Sequence, residues 1–533
     1  MPDLQLRPAQ APPAGPHLPD PPDPPDLLPD AVAAARDRPA LMPTSPAPTA
    51  TASTLSDRAP FTVSIHNTRS RRVEPVETLQ PGRVGIYTCG PTVYAAQHIG
   101  NMRSQLFADL LRRALDASGL EVTHVINITD VGHLTSDADE GEDKLELAAS
   151  RAGQSAADVA ATYTAQWQGD RSRLGCLEPS VLCKATDHVP EMIEMVQAIE
   201  AAGHTYRTDD GIYFDTTTFS HYTDLTGQSL EDLETTGRVE NVDQKRHPAD
   251  FALWKFSPAD VQRQQEWDSP WGRGFPGWHI ECSAMSTKYL GQQFDIHTGG
   301  VDHIAVHHTN EIAQSETALH LHPWVPYWVH HEFLRLGADK MSKSTGKTLV
   351  LDDLVADGFD PLTFRWFILQ AHYRQQQDFS LEALRAAQTA LRNYRRRAAE
   401  ARDTAAPGPV ELSALGQSER DRFWAAVADD LNAPRAIAVA FDVVKSTELS
   451  PAERWALVVD FDDFLGLDIG SATQGDVDVD ALPADVQALI DERAAARVGK
   501  DWARADALRD EITALGYELL DTAEGQKVRR ADA

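Results

Sequence analysis

Cysteine, positive charge and long apolar runs are all scarce in this chain. Four cysteines among 533 residues cannot supply a disulfide framework. No run of about 18 apolar residues occurs, which excludes a membrane-spanning helix. No apolar stretch stands near the N-terminus, which excludes a secretory signal. These absences make a reducing cytoplasm the expected compartment. Lysine and arginine number 49 against 80 aspartates and glutamates, a net charge of −31. So acidic a chain is not a passive nucleic-acid binder. Contact with nucleic acid would have to come from local patches: Arg392, Arg395, Arg396 and Arg397; then Arg493, Arg497, Lys500 and Arg504; then Lys527, Arg529 and Arg530. Each patch reads equally well as a solvated helix face. At 42% hydrophobic residues the chain can bury a sizeable core, in roughly three or four domains.

Residues 1–60 hold nearly half of the 33 prolines. Such composition cannot bury enough surface to order itself. It reads as a disordered tail, or as the product of an upstream start with Met42 the truer beginning. Val84 to Cys89 reads as a short buried strand. A loop then leads into a helix with Leu106, Phe107, Leu110, Leu111 and Ala114 on one face, stopped at Gly119. Glu121 to Ile128 reads as a second strand. Strand, helix and strand in this order form a βαβ unit and imply a parallel sheet. The first loop enters the helix at its N-terminus, where backbone N–H groups favour phosphate. Residues 140–250 read as a polar helical and irregular insertion. Sheet-like segments resume at Gln293–His297 and Trp324–Phe333. Helices follow over 350–400 and again from about 410, and the chain closes on a helix pair and two short strands.

Two groups of residues carry chemistry. Lys340-Met341-Ser342-Lys343-Ser344, between Gly337 and Gly346, places two lysines three apart in a glycine-flanked loop. That suits closing positive charge onto a polyphosphate. Cys89, Cys282, and His307 with Glu311 at i, i+4 on one helix face, offer two thiolates, an imidazole and a carboxylate. Spacing alone leaves two readings open: a zinc set, or two buried cysteines beside a helical His–Glu pair. His308 would point about 100° away around the helix, as a supporting group.

The Lys340–Ser344 stretch resembles the KMSKS loop of class I aminoacyl-tRNA synthetases. Pro91-Thr92-Val93-Tyr94 followed by His98-Ile99-Gly100-Asn101 resembles the HIGH signature of that class with its last position changed. Cys89, Trp278 to Met285 and His307 to Ser315 look like cysteinyl-tRNA synthetase. So do Asn127 to Asp130, Asp250 to Lys255, His297 to Asp302 and Lys500 to Asp506. The likeness runs over roughly residues 61–530.

The resemblance implies an α/β fold: a Rossmann-type parallel-sheet catalytic domain with a helical insertion, then a mostly α-helical tRNA-binding region. It implies a tail over 1–60 and the two halves of the catalytic domain over 61–145 and 251–335, split by a connective insertion over 146–250. A lysine loop and stem-contact region then covers 336–400, a helical bundle for tRNA and anticodon 401–480, and a small C-terminal subdomain 481–533. The implied activity is activation of L-cysteine by ATP and its transfer to the 3′ end of tRNA(Cys), by a monomer. One Zn2+ per chain would sit on Cys89, Cys282, His307 and Glu311, and Mg2+ would accompany ATP. His98, Lys340 and Lys343 are the implied catalytic residues, with Gly100 and Asn101 also at ATP. Thr129 and Trp278 would line the amino-acid pocket; simple core packing is the other reading of Trp278. Asn101 departs from the family's second histidine. It can donate only as a neutral amide, so ATP contact should be less pH-dependent.

Cysteine and serine differ in one atom, and a pocket discriminates poorly on so little. Thiolate coordination is the expected answer, and it would make an editing domain unnecessary. Three other readings compete. A ligase joining cysteine to an amino sugar would share the catalytic core but lack the C-terminal region. A catalytically silent RNA-binding relative would not need Lys340 to Ser344 intact. A structural zinc protein would leave the lysine loop without a purpose.

Overall fold

The computed structural model describes residues 55, 58–132, 143–227, 244–258, 263–336, 349–406, 408–471, 484–499, 501–515, 517–522 and 525–530. All belong to one compact unit, 49–533. At its centre is a five-stranded parallel sheet. We label its strands β1 (Arg83–Thr88), β2 (Glu121–Ile128), β3 (Val181–Lys184), β4 (Ile296–Gly300) and β5 (Tyr327–His331). Their order is β5-β4-β1-β2-β3, every pair parallel. This is the Rossmann order, 3-2-1-4-5, across its topological switch point. The order reverses between β1 and β4, so a crevice opens beyond their carboxyl ends.

The Ile99–Ala117 helix makes the crossover from β1 to β2. Its predicted apolar face is buried throughout, and Gly119 takes φ 95° just beyond its end. Pairing starts at Ile296 rather than Gln293 because the Asp295 carboxylate turns back. It accepts from the backbone N–H groups of Leu79 and Gly85, at 2.6 and 2.7 Å.

The 146–250 segment departs from the expected helical and irregular insertion. It contains β3, an edge strand of the central sheet, and two strands of a second sheet. That sheet runs antiparallel through Thr205–Arg207, Gly211–Phe214, Phe251–Phe256 and Gly274–Pro276. These strands of three to six residues are too short to show a period against their polar neighbours.

Two apolar clusters flank the central sheet. One holds Tyr87, Val125, Ile280 and Trp328, under the Trp278–Leu290 and His307–Leu319 helices. The other is continuous from Ile86, Leu106 and Leu111 through Trp366 and Tyr394 to Phe423, Val443 and Phe461. The helical bundle from 414 to 465 therefore shares the catalytic core. The 484–530 segment has its own small cluster, Val486, Ile490, Ile512, Tyr517 and Leu519.

Two residues inside the expected 1–60 tail reach the core. Arg58 lies 3.5 Å over the Trp424 ring, and its Nη2 pairs with Asp460 and Asp463, each at 2.9 Å. Leu55 packs against the same core. A proline-rich composition does not reveal a single anchoring arginine whose partners lie some 400 residues away.

Candidate active site and metal centre

β1 delivers Cys89 to the crevice, and the fifth residue of the Trp278–Leu290 helix is Cys282. His307 and Glu311 open the His307–Leu319 helix one turn apart. Gly90 makes the exit from β1 possible. A Cβ there would lie 1.6 Å from the Asn127 carbonyl oxygen. Asn127 in turn accepts from the Gly90 N–H at 2.8 Å and donates to Thr129 Oγ1 at 3.1 Å.

The four predicted ligand atoms converge, all within 4.8 Å of one another. Cys89 Sγ lies 3.9 Å from Cys282 Sγ and 3.8 Å from Glu311 Oε1. His307 Nε2 lies 3.7 Å from Cys282 Sγ and 3.2 Å from Glu311 Oε1. A zinc tetrahedron with Zn–S of about 2.3 Å and Zn–N of about 2.0 Å has edges of about 3.8 Å between sulfurs and about 3.5 Å from sulfur to nitrogen. The cluster thus has the edge lengths and the donor set of a zinc centre.

Burial pushes the Cys89 thiol well above its ordinary pKa, helped by Cys282 and Glu311. At Cys282 a hydrogen bond with Cys89 pulls the pKa down, but burial and the Glu311 and Glu281 carboxylates raise it overall. A bound cation would reverse that balance.

Sequence reasoning missed the surrounding histidines. His297 Nε2 holds the outer oxygen of Glu311 at 2.9 Å, and His279 Nδ1 meets His307 Nδ1 at 2.9 Å. Such outer contacts orient metal ligands. The expectation that His308 points away from the cluster is corrected. Its Nε2 lies 3.5 Å from Cys89 Sγ, and Cys89, His297, His308 and Glu311 form a second possible set. Long side chains on adjacent helical positions can still converge on one point beyond the helix. His308 Nδ1 is occupied by His330 Nε2 at 2.8 Å, which suits a supporting group.

Thr129 is buried where the strand exits meet, and its backbone pairs with Pro91 and Val93. Trp278 is half-buried, its ring edge-on to His307 at 4.9 Å.

His98 is the N-cap of the Ile99–Ala117 helix, and its Nδ1 accepts from the Asn101 N–H at 3.2 Å. Burial lowers its pKa below the ordinary histidine value. The ring is therefore neutral near pH 7, with its proton on Nε2. The Asn101 side chain is exposed. Lys340, Lys343 and the flanking Gly337 and Gly346 lie outside the described residues. Both ends of their segment meet this helix. Arg103 Nη1 donates to the Phe333 carbonyl at 2.7 Å, and Ile99 N donates to the Leu349 carbonyl at 3.0 Å.

Among the basic patches, Arg493 is buried and Arg395 is half-buried against Asp360 at 2.5 Å, whereas Arg396 and Arg504 are exposed and pair with Glu400 and, at 2.8 Å, with Glu492. Lys500 lies outside the described residues.

A family model for the class I (C) tRNA synthetase catalytic domain matches residues 75–389. A second, for the cysteinyl-tRNA ligase anticodon binding domain, matches 479–529. That second match falls on the small C-terminal segment rather than on the 401–480 bundle. A Burkholderia lata protein named cysteine–tRNA ligase 1 is 50% identical over 467 residues, 87% of this chain and 96% of its own. A Treponema denticola cysteine–tRNA ligase is 41% identical over 488 residues, 87% of this chain and 98% of its own. Among solved structures, Mycobacterium tuberculosis methionyl-tRNA synthetase with methionyl-adenylate aligns over 73% of this chain and 90% of its own, with TM-score 0.50 and 18% identity. A LeuRS of Agrobacterium radiobacter K84, in a ternary complex, aligns over 74% and 85%, with TM-score 0.52 and 12% identity. At such identities these two likenesses concern the fold alone. With one family model over more than half its length, and relatives this similar along nearly all of theirs, the chain belongs to the cysteinyl-tRNA synthetases of class I.

Proposed function

We propose that this chain activates L-cysteine with ATP and transfers it to the 3′ end of tRNA(Cys). A cysteine carboxylate oxygen attacks the α-phosphorus of ATP, the bond to the β-phosphate breaks, and pyrophosphate leaves. A ribose hydroxyl of the tRNA then attacks the cysteinyl carbonyl, and AMP leaves with the bonding pair. His98 and the helix N-terminus at Gly100 and Asn101 supply neutral donors for the phosphates. Lys340 and Lys343 supply charge, and Mg2+ enters with ATP. The attachment of both ends of their segment beside His98 supports that placement. Thr129 and Trp278 border the amino-acid pocket.

Cys89, Cys282, His307 and Glu311 would hold one zinc ion. When bound, the ion would take the substrate thiol as thiolate and so favour cysteine over serine, whose hydroxyl is a poorer ligand. A reducing cytoplasm suits this site, since two thiols 3.9 Å apart would otherwise be open to disulfide formation. The convergence of these four residues beside the switch point of the sheet is the observation that carries the reading. The 479–529 segment, with the bundle behind it, would take the tRNA, and a monomer suffices for this arrangement.

The test is cysteine-dependent exchange of labelled pyrophosphate into ATP, followed by a choice of acceptors. Cysteine attached to tRNA(Cys) is expected. Transfer of the activated cysteine to an amino sugar, but not to tRNA, would refute the assignment.

A further inference from the structure

The Leu381–Thr404 and Ala433–Lys445 helices leave a surface groove between them, with a volume of about 390 Å³. Ala386, Ala390, Asn393 and Arg397 line it from the first helix. Their spacing of three or four residues puts them on one helix face, over about 16 Å of its length. Phe441 and Lys445, one turn apart, line it from the second helix. The Phe441 ring is set edge-on to Trp366 and Tyr394, with centroids 5.5 and 5.6 Å away. The groove thus joins a firm apolar lining to two cations and an amide.

These cations differ from their neighbours. On the same helix Arg395, Arg396 and Arg402 each pair with a carboxylate, from Asp360, Glu400 and Asp403. Among the described residues no carboxylate lies within ion-pair distance of Arg397 or Lys445, and the Asn393 amide has no hydrogen-bond partner. Lys445 Nζ lies 4.8 Å over the Phe441 ring, which holds the ammonium at the groove without neutralising it. The chain carries 80 acidic residues against 49 basic ones, so two open cations in one groove stand out against that background. They repel one another, and a bound anion would relieve the repulsion.

A sugar–phosphate strand fits this chemistry. Its phosphate oxygens suit the guanidinium fork, the ammonium and the amide, while ribose carbons suit the alanines and Phe441. We propose that the groove is a backbone-docking site for tRNA, in which Arg397, Lys445 and Asn393 hold phosphates of one strand. This rests on the tRNA-charging reading above and adds to it a contact surface on the bundle, separate from 479–529. Contacts to phosphate fix the position of a nucleic acid but do not read its sequence. The groove therefore contributes affinity for tRNA in general, and the choice of tRNA(Cys) is made elsewhere.

The test measures binding of tRNA(Cys) to the full chain across a range of salt concentrations, beside Arg397→Gln, Lys445→Gln and the double variant. Neither cation has an internal carboxylate to lose, so the thermal transition and cysteine-dependent pyrophosphate exchange should be unchanged. Each single variant should reduce the slope of log affinity against log salt by about one, and the double variant should bind roughly tenfold more weakly at about 0.1 M salt. A non-cognate tRNA should lose affinity by the same factor. Arg83→Gln removes an equal charge at the amino end of β1, where Arg83 pairs with Glu121 at 2.9 Å, and should leave slope and affinity as in wild type. An unchanged slope and affinity in the double variant, or an equal loss in Arg83→Gln, would overturn the groove assignment while leaving tRNA charging standing. A wild-type chain that neither binds nor charges tRNA(Cys) would overturn both.

Discussion

An alanine at position 100 would place its Cβ 2.8 Å from His98 Nδ1 and 2.9 Å from Cε1. The glycine in this motif is therefore room for the capping imidazole. Gly100→Ala should turn the His98 ring out and slow pyrophosphate exchange by about 10²-fold, comparable to losing one oxyanion donor. Stability should barely move. Alanine gains about 1 kcal/mol over glycine within a helix, and the lost cap costs about 1 kcal/mol. An unchanged exchange rate would mean that His98 does not act from the cap. The motif was legible as letters, and the reason for its glycine became visible only with the ring in place. The same holds around the metal cluster. Cys89, Cys282, His307 and Glu311 could be named through their family likeness. His279 and His297 support them from other elements, and no spacing in the chain announces that.

At the scale of the element, the Ile99–Ala117 helix shows where periodicity stops being informative. Its apolar positions announced one buried face. Arg103, Gln105 and Asp109 are buried as well, because their partners come from distant segments. Asp109 Oδ2 meets Arg365 at 2.6 Å and Arg113 at 2.8 Å, and Asp109 Oδ1 accepts from Leu177 N at 2.7 Å. Arg365 also donates to the carbonyls of Leu465 and Leu174, at 2.6 and 3.1 Å. One guanidinium thus ties the motif helix to the Pro361–Leu369 helix and to the end of the bundle. Burial would raise the Asp109 carboxyl, but Arg365 and Arg113 hold it well below the ordinary carboxylate range. Its contribution to stability is therefore complete above about pH 4 and fades as the pH falls below that. Arg365→Leu removes one of two cations from a buried carboxylate and leaves two carbonyls without their donor. It should cost about 3–5 kcal/mol, read from the denaturant midpoint at pH 7. A loss below about 1 kcal/mol would show that the hub is not a structural tie.

For the whole molecule, the family likeness implied a helical bundle for tRNA over 401–480 and a small subdomain after it. In the structure the bundle packs into the catalytic core. Phe423, Trp424, Phe461 and Phe464 belong to the same core as the Ile99–Ala117 helix, and Arg58 clamps the bundle from the other end of the chain. Helical patterning distinguishes a buried face from an exposed one, but it does not say which domain covers that face. A chain ending at 410 should fail to fold, as seen by the loss of its cooperative thermal transition. One ending at 471 should keep cysteine-dependent pyrophosphate exchange within about twofold and lose at least tenfold in tRNA charging, a difference of about 1.4 kcal/mol. Equal charging by the chain ending at 471 and the full chain would remove the role given to 479–529. The central claim concerns the ion beneath this architecture. Metal analysis of the purified full chain beside Cys282→Ser addresses it most directly. The account predicts close to one zinc per chain in wild type, with that zinc lost or sharply reduced in the variant and the Michaelis constant for cysteine raised. Wild-type protein active with cysteine yet free of zinc, or a Cys282→Ser variant with full zinc and unchanged cysteine affinity, would contradict it.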